Sequence, residues 1–119
     1  TRSSTVSWAR SVYKRQELMK ELMNPEFGFG GMVSIDLETP ERASKFMSLM
    51  QDSGVGYLAV SLGYFKTLFS NSGKSTSSEV PEETQRDMGL SPGLVRYSVG
   101  LDHDIHESYK VIEECYKKL

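Results

Sequence analysis

The sequence has few of the residue types that would place it in several common classes of protein. Its 119 residues include one cysteine, Cys115, and one tryptophan. A single cysteine excludes an internal disulfide and provides no thiolate cluster for zinc or iron–sulfur ligation, which is typical of a reducing cytosol. No apolar run approaches the roughly 20 residues that span a bilayer, and the opening residues lack the apolar block of a secretory signal. The sequence therefore predicts a cytoplasmic protein without a membrane partner.

The charge balance gives no sign of an unusual partner. The chain has 14 basic and 16 acidic side chains, a net charge of -2, and 38% hydrophobic residues. These values are ordinary for a soluble domain, and the length fits one compact domain. Nothing in them indicates nucleic-acid binding.

Apolar residues at helical spacing predict four helices. The second is the best defined, because Thr39 is a good N-cap and Pro40 suits the first helical position. The last has Asp104 near its positive end. The predicted helices cover residues 11–23, 40–52, 81–89 and 105–119.

Three strands are predicted, at residues 31–37, 57–62 and 94–99. The second is a short apolar run bounded by glycines, which is typical of a strand buried on both faces. Residues 64–69 fit either a helical turn or a short strand. Residues 70–80 have too few apolar groups to fold alone, so they are predicted to be a linker. This order favours an α/β fold, an α+β two-layer sandwich with helices on one face of a small sheet, whose other face must meet something.

Arg96 is the most informative single residue. Strict alternation in the third strand places Leu94, Arg96 and Ser98 on one face and their neighbours on the other. A guanidinium is almost never buried without an anionic partner, and a rigid strand suits bidentate capture of a carboxylate or phosphate. The alternative is an outward-facing arginine on a solvated sheet face, and the pattern alone does not choose between them.

Other residue groups carry weaker signals. The glycine-rich turn Gly28–Gly31 precedes a strand and does not open a helix, so an entry turn is favoured over a phosphate cradle. Asp102–His106 offers metal ligands, although helix-capping acids with exposed histidines are favoured. The hydroxyls of Ser61 and Ser75–Ser78 lie in no nucleophile elbow and have no identifiable base. Cys115 is favoured as a half-buried helix residue over a nucleophile.

Four ordered motifs together resemble one family, the pyridoxal-phosphate enzymes of cysteine and methionine metabolism. That family includes methionine gamma-lyase, cystathionine gamma-lyase, cystathionine gamma-synthase and the homoserine sulfhydrylases. The resemblance extends over about residues 27–119. The motifs are Gly28-Phe-Gly-Gly-Met-Val-Ser-Ile35, Leu58-Ala-Val-Ser-Leu-Gly63, Ser75-Thr-Ser-Ser78 and Gly93-Leu-Val-Arg-Tyr-Ser-Val-Gly-Leu101.

The resemblance implies the small C-terminal domain of a type I aminotransferase-like fold and a set of substrate-binding residues. It implies that Arg96 binds the substrate α-carboxylate, that Ser61 and Leu62 line the same pocket, and that Thr76 lies near the carboxylate and the Schiff-base lysine. The implied activity is γ-elimination on a sulfur amino acid, as in methionine gamma-lyases. The implied cofactor is pyridoxal 5'-phosphate, and the usual assembly is a homotetramer.

The chain also departs from the family pattern. Ser77 stands where the family often has histidine, and Asp102 stands where it often has glutamate. No segment matches the Schiff-base lysine or the other cofactor-binding residues, so no catalytic, cofactor or metal residue is expected here and the chain alone is predicted to be inactive. We expect residues 1–26 to form a linking helix from a large cofactor-binding domain of the same polypeptide, and residues 27–119 to form the small domain. The opening, without an initiator methionine, also predicts an excised piece.

Other functions stay open from the sequence. A fragment of a cystathionine gamma-lyase, a cystathionine gamma-synthase or a homoserine sulfhydrylase would carry similar motifs. A free-standing α/β module could bind an amino acid or a partner through its exposed sheet without catalysis. A regulatory paralogue without the lysine domain is the third alternative.

Overall fold

The computed structural model describes residues 17–27, 30–75, 78–101 and 104–119. The chain divides into two compact units, Thr1–Gly30 and Gly31–Leu119. In the first unit, residues 17–22 are helical and are called α1. The described part of the first predicted helix is therefore confirmed.

The second unit contains a mixed four-stranded sheet among its described residues. The strand order is β1-β4-β3-β2, in which β4 is antiparallel to both of its neighbours and β2 is parallel to β3. This arrangement of sheet and helices confirms the predicted α+β two-layer class. The elements are β1 (Met32–Asp36), α2 (Pro40–Asp52), β2 (Tyr57–Leu58), β3 (Leu68–Asn71), α3 (Glu82–Asp87), β4 (Leu94–Ser98) and α4 (Ile105–Lys117).

Side-chain caps define where the two long helices begin. The Thr39 hydroxyl accepts a hydrogen bond from the Arg42 backbone N–H at 3.3 Å, and Pro40 follows Thr39 directly. The Asp104 carboxylate accepts from the backbone N–H of His106 at 2.9 Å. Each cap satisfies a donor that the first helical turn leaves free, so α2 begins at the residue predicted from the sequence.

The hydrophobic core lies between the two long helices and one face of the sheet. Helix α2 packs against β2, β3 and β4, and α4 packs against α2. The two helices and this sheet face together exclude water from the largest apolar side chains. Those that are almost fully buried include Phe46, Met50, Phe69, Val95, Tyr97 and Cys115.

Two sequence predictions about the middle of the unit are wrong. The strand predicted for residues 57–62 ends at Leu58, and both of its residues are exposed because β2 is an edge strand. The linker predicted for residues 70–80 begins with the buried end of β3. There the Asn71 side chain donates to the Pro92 carbonyl at 2.9 Å and accepts from the Lys74 N–H at 3.0 Å. These bonds replace water at a polar residue that the composition alone would leave outside the core.

Over the part of the chain that the structure describes, no helix is both long and apolar enough to cross a membrane.

Candidate functional site

Strand β4 presents different chemistry on its two faces. Val95 and Tyr97 point into the core and are 0% and 4% exposed. Arg96 lies between them on the opposite face and is half-buried. Because successive strand residues alternate between faces, the guanidinium is held on the face away from α2. The sequence left open whether Arg96 is buried or solvated. In the structure it is intermediate between the two.

Two serines lie directly beside Arg96 on the neighbouring strands. Ser34 of β1 and Ser70 of β3 are its register partners. Directly opposed residues in antiparallel strands project on the same side, so the three side chains form a polar row across the sheet. The Ser70 hydroxyl is buried and has no hydrogen-bond partner among the residues that the structure describes. The row therefore holds an unused hydrogen-bonding group next to a cation.

Within the described ranges, no carboxylate lies within ion-pair distance of Arg96. The ion pairs found there are Lys20 with Glu17 and Lys117 with Glu113, both on exposed helix surfaces. A half-buried guanidinium without a protein counter-ion keeps its donors for another anion. The arrangement can bind a carboxylate through paired charge-assisted hydrogen bonds.

The other predicted pocket residues lie in the segment after β2. Ser61 and Leu62 are exposed and outside any strand. The next residue, Gly63, donates its backbone N–H to the Ser98 hydroxyl at 3.1 Å. Ser98 is two residues beyond Arg96 on the same face of β4, so this bond brings the Ser61–Leu62 segment to the strand that carries the guanidinium.

Some of the predicted positions cannot be compared with the structure. Thr76, the fourth predicted substrate-binding residue, lies outside the described residues. The same holds for Ser77 and Asp102, where the chain departs from the family pattern. The metal alternative at Asp102–His106 is only partly described. In the ranges that are described, no group of three potential metal ligands is present.

The described lysines do not fit a Schiff-base site. Such a lysine acts from a desolvated pocket, where its amine is readily deprotonated. Every described lysine is instead exposed. Lys45 donates to the Lys118 carbonyl at 2.8 Å, and Lys66 lies 3.2 Å from the Tyr57 hydroxyl. No described lysine therefore has the buried setting of a Schiff-base lysine.

Sequence reasoning missed Ser34, Ser70 and Ser98 as parts of this site. Alternation in β4 was enough to put Ser98 on the face of Arg96. The two other serines are on separate strands, so only the register between distant segments brings them to Arg96. No local signal identifies them.

Comparison with known proteins gives a consistent result. The family model described as Cys/Met metabolism PLP-dependent enzyme matches residues 5–108. The chain is 41% identical over 109 residues to a methionine gamma-lyase of Arabidopsis thaliana, covering 91% of this chain and 25% of the relative. It is 35% identical over 75 residues to a cystathionine gamma-lyase of Bacillus subtilis, covering 63% of this chain and 19% of the relative.

A solved structure shares the fold. It is that of a Campylobacter jejuni protein assigned as an O-acetylhomoserine (thiol)-lyase, and it contains N'-pyridoxyl-lysine-5'-monophosphate. The two align with a TM-score of 0.64 at 23% identity, over 73% of this chain and 20% of that one. The chain thus spans about a quarter or less of the length of these relatives.

Proposed function

From the premise that this chain belongs to the Cys/Met metabolism PLP-dependent enzymes, we propose that it is the C-terminal small domain of a carbon–sulfur lyase for sulfur amino acids. In this proposal, Arg96 binds the α-carboxylate of the substrate, and Ser61, Leu62 and Thr76 line the same pocket. The reaction of the parent enzyme is γ-elimination, as in methionine gamma-lyase.

The observation that carries the proposal is the setting of Arg96. The residue is half-buried in the middle of β4, it has no ion-pair partner among the described residues, and an unpartnered buried hydroxyl, that of Ser70, is its register neighbour. A charged hydrogen bond to such a group contributes about 1.5 to 3 kcal/mol. Holding the carboxylate also fixes the direction of the α-proton, which an elimination must remove.

The remaining parts of the enzyme are assigned to the same polypeptide. Residues 1–26 are proposed as the helix that joins this domain to a large domain, and residues 27–119 as the small domain. In this proposal the large domain holds pyridoxal 5'-phosphate, because no described lysine has the buried setting of a Schiff-base lysine. The proposed assembly is a cytoplasmic homotetramer.

Replacing Arg96 tests the role of the guanidinium. In the full-length enzyme, Arg96→Ala should leave the cofactor absorbance unchanged and weaken methionine binding by about 2–4 kcal/mol, because the carboxylate loses its charged partner. The measurement is KM for L-methionine together with inhibition by L-methionine amide, which lacks the carboxylate charge. Selectivity for the acid over the amide should collapse.

The matched control is Arg86→Ala, which removes an exposed arginine from α3. It should preserve both KM and the preference for the acid. Unaltered kinetics and selectivity in Arg96→Ala would remove Arg96 from the pocket and sink the proposal for this site.

The choice of reaction is tested by the products. The identity to the Arabidopsis methionine gamma-lyase favours methionine, whose γ-elimination releases methanethiol. The second candidate, a cystathionine lyase, is supported by the Bacillus subtilis relative. Release of methanethiol from methionine supports the first, and turnover of cystathionine alone supports the second. An upstream coding sequence without an in-frame lysine-bearing domain would contradict both.

A further inference from the structure

The segment that follows β2 is tied to the end of β4 by a reciprocal pair of hydrogen bonds. The Ser98 hydroxyl accepts from the Gly63 N–H at 3.1 Å, and the Thr67 hydroxyl accepts from the Gly100 N–H at 3.0 Å. We call this pair the Ser98–Thr67 clasp. Each side contributes one hydroxyl and one backbone N–H, and a backbone bond from the Leu101 N–H to the Phe65 carbonyl at 2.8 Å joins the same two parts of the chain.

Both hydroxyls of the clasp belong to buried residues. Ser98 is 6% exposed and Thr67 is 3% exposed. Removing either hydroxyl would leave a backbone N–H without its protein partner. The backbones are also very close, because a Cβ on Gly100 would lie 2.3 Å from the Lys66 carbonyl carbon. The segment therefore has little freedom to shift and find other partners.

The clasp connects the two halves of the proposed carboxylate pocket. Ser98 is two residues from Arg96 on the same strand face, and Gly63 directly follows the exposed Ser61–Leu62 segment. These two residues lie outside any strand. The hydrogen bond of the Ala59 N–H to the Phe69 carbonyl at 3.1 Å precedes them, and the bond of the Gly63 N–H to the Ser98 hydroxyl follows them.

Building on the proposed function, we propose that Ser98 and Thr67 are positioning residues that set the distance between Arg96 and the Ser61–Leu62 segment. They act through the clasp and touch no substrate. Their hydroxyls thereby determine how well the pocket fits the α-carboxylate of an amino acid.

The test uses isosteric and conservative variants in the full-length enzyme. Thr67→Val keeps the shape and removes the acceptor, whereas Thr67→Ser keeps the hydroxyl. Since small displacements of binding groups have large effects, Thr67→Val and Ser98→Ala should each raise KM for L-methionine about tenfold, with kcat changed less than about twofold. Thr67→Ser should restore a KM close to that of the parent enzyme.

Hydrogen exchange gives a second measurement that does not depend on turnover. The Gly63 amide should exchange faster in Ser98→Ala, and the Gly100 amide faster in Thr67→Val. Ser91→Ala is the structural control, because it removes a hydroxyl bond to Asp36 at the other end of β4. It should lower the thermal midpoint without changing KM.

The outcomes separate this inference from the proposed function. An unchanged KM in Arg96→Ala would defeat the carboxylate pocket and the clasp together. A raised KM in Arg96→Ala, with Thr67→Val and Ser98→Ala behaving like Ser91→Ala, would overturn the clasp alone. Should Thr67→Val fail to fold, the decision rests on Ser98→Ala, which removes a single oxygen atom.

Discussion

The two faces of the sheet are built from the same strands but carry different chemistry. On the helix side, Val95, Tyr97 and Phe69 lie in a closed apolar core. On the other side, Arg96 lies between two serines with no counter-ion among the described residues. The first face holds the domain together by burial, whereas the second keeps the Ser70 hydroxyl, which has no hydrogen-bond partner among the described residues. A single alternating strand, β4, thus separates the groups that stabilise the fold from those proposed to bind substrate.

Two methionines, one in the core on the helix side of the sheet and one on β1, give the strongest test of this difference between the two faces. Met50 of α2 is 0% exposed in the core, whereas Met32 of β1 is 48% exposed. Met50→Ala should lower the free energy of unfolding by about 2–5 kcal/mol, because it leaves a cavity in the core. Met32→Ala should cost less than about 1 kcal/mol. Urea denaturation followed by circular dichroism measures both, and equal losses would show that the core is not confined to the helix side.

The stability of the domain at alkaline pH tests the burial of Tyr97 on the core face. Burial, with a smaller contribution from the charge of Cys115, raises the pKa of its hydroxyl above the ordinary value of 10.0. The unfolded chain ionises this group first, so the stabilisation is fully present below about pH 10 and is lost as pH rises. The slope should be at most about 1.4 kcal/mol per pH unit. Denaturation midpoints between pH 9 and about 11.5 should fall less steeply in Tyr97→Phe, and parallel curves would contradict this cause.

The smallest change in the free energy of unfolding is expected from two buried serines on the sheet face that carries Arg96. In the described part of the chain, the Ser98 hydroxyl has a hydrogen-bond partner and the Ser70 hydroxyl has none. Ser98→Ala should destabilise the chain by about 0.5–1.5 kcal/mol, since it removes the hydrogen bond that the Ser98 hydroxyl accepts from the Gly63 N–H. Ser70→Ala should be neutral or stabilising by up to about 1 kcal/mol, because it removes a hydroxyl that pays desolvation without a bond. A loss in Ser70→Ala equal to that in Ser98→Ala would mean that Ser70 contributes to the fold.

Local sequence patterns predicted the parts of this fold that local physics determines. The alternation of β4 follows from strand geometry, and α2 begins where Thr39 and Pro40 predict it. The two-layer class followed from the number of elements and their amphipathic faces. For the same reason, the sequence alone places Arg96 on the face opposite Val95 and Tyr97.

The sequence could not predict features that depend on distant partners. Strand β3 has two apolar residues followed by Ser70 and Asn71, a composition that resembles a linker. Those polar residues are buried because β3 lies between β2 and β4, and Asn71 bonds to Pro92. The serine neighbours of Arg96 and the clasp likewise depend on the register between segments far apart in sequence. The role of Thr76 stays a prediction.

Two glycines near this site should tolerate almost no substitution. A side chain at Gly56 would meet the Thr67 carbonyl oxygen at 2.3 Å, and one at Gly100 would meet the Lys66 backbone at the same distance. A saturation mutagenesis library should therefore contain almost no survivors at these positions. Between them in sequence, Val60, Tyr64 and Phe65 are exposed and lie outside the proposed pocket, so they should accept many replacements. Sequence change during evolution is thereby directed to exposed residues of this short stretch, while Gly56 and Gly100 stay glycine.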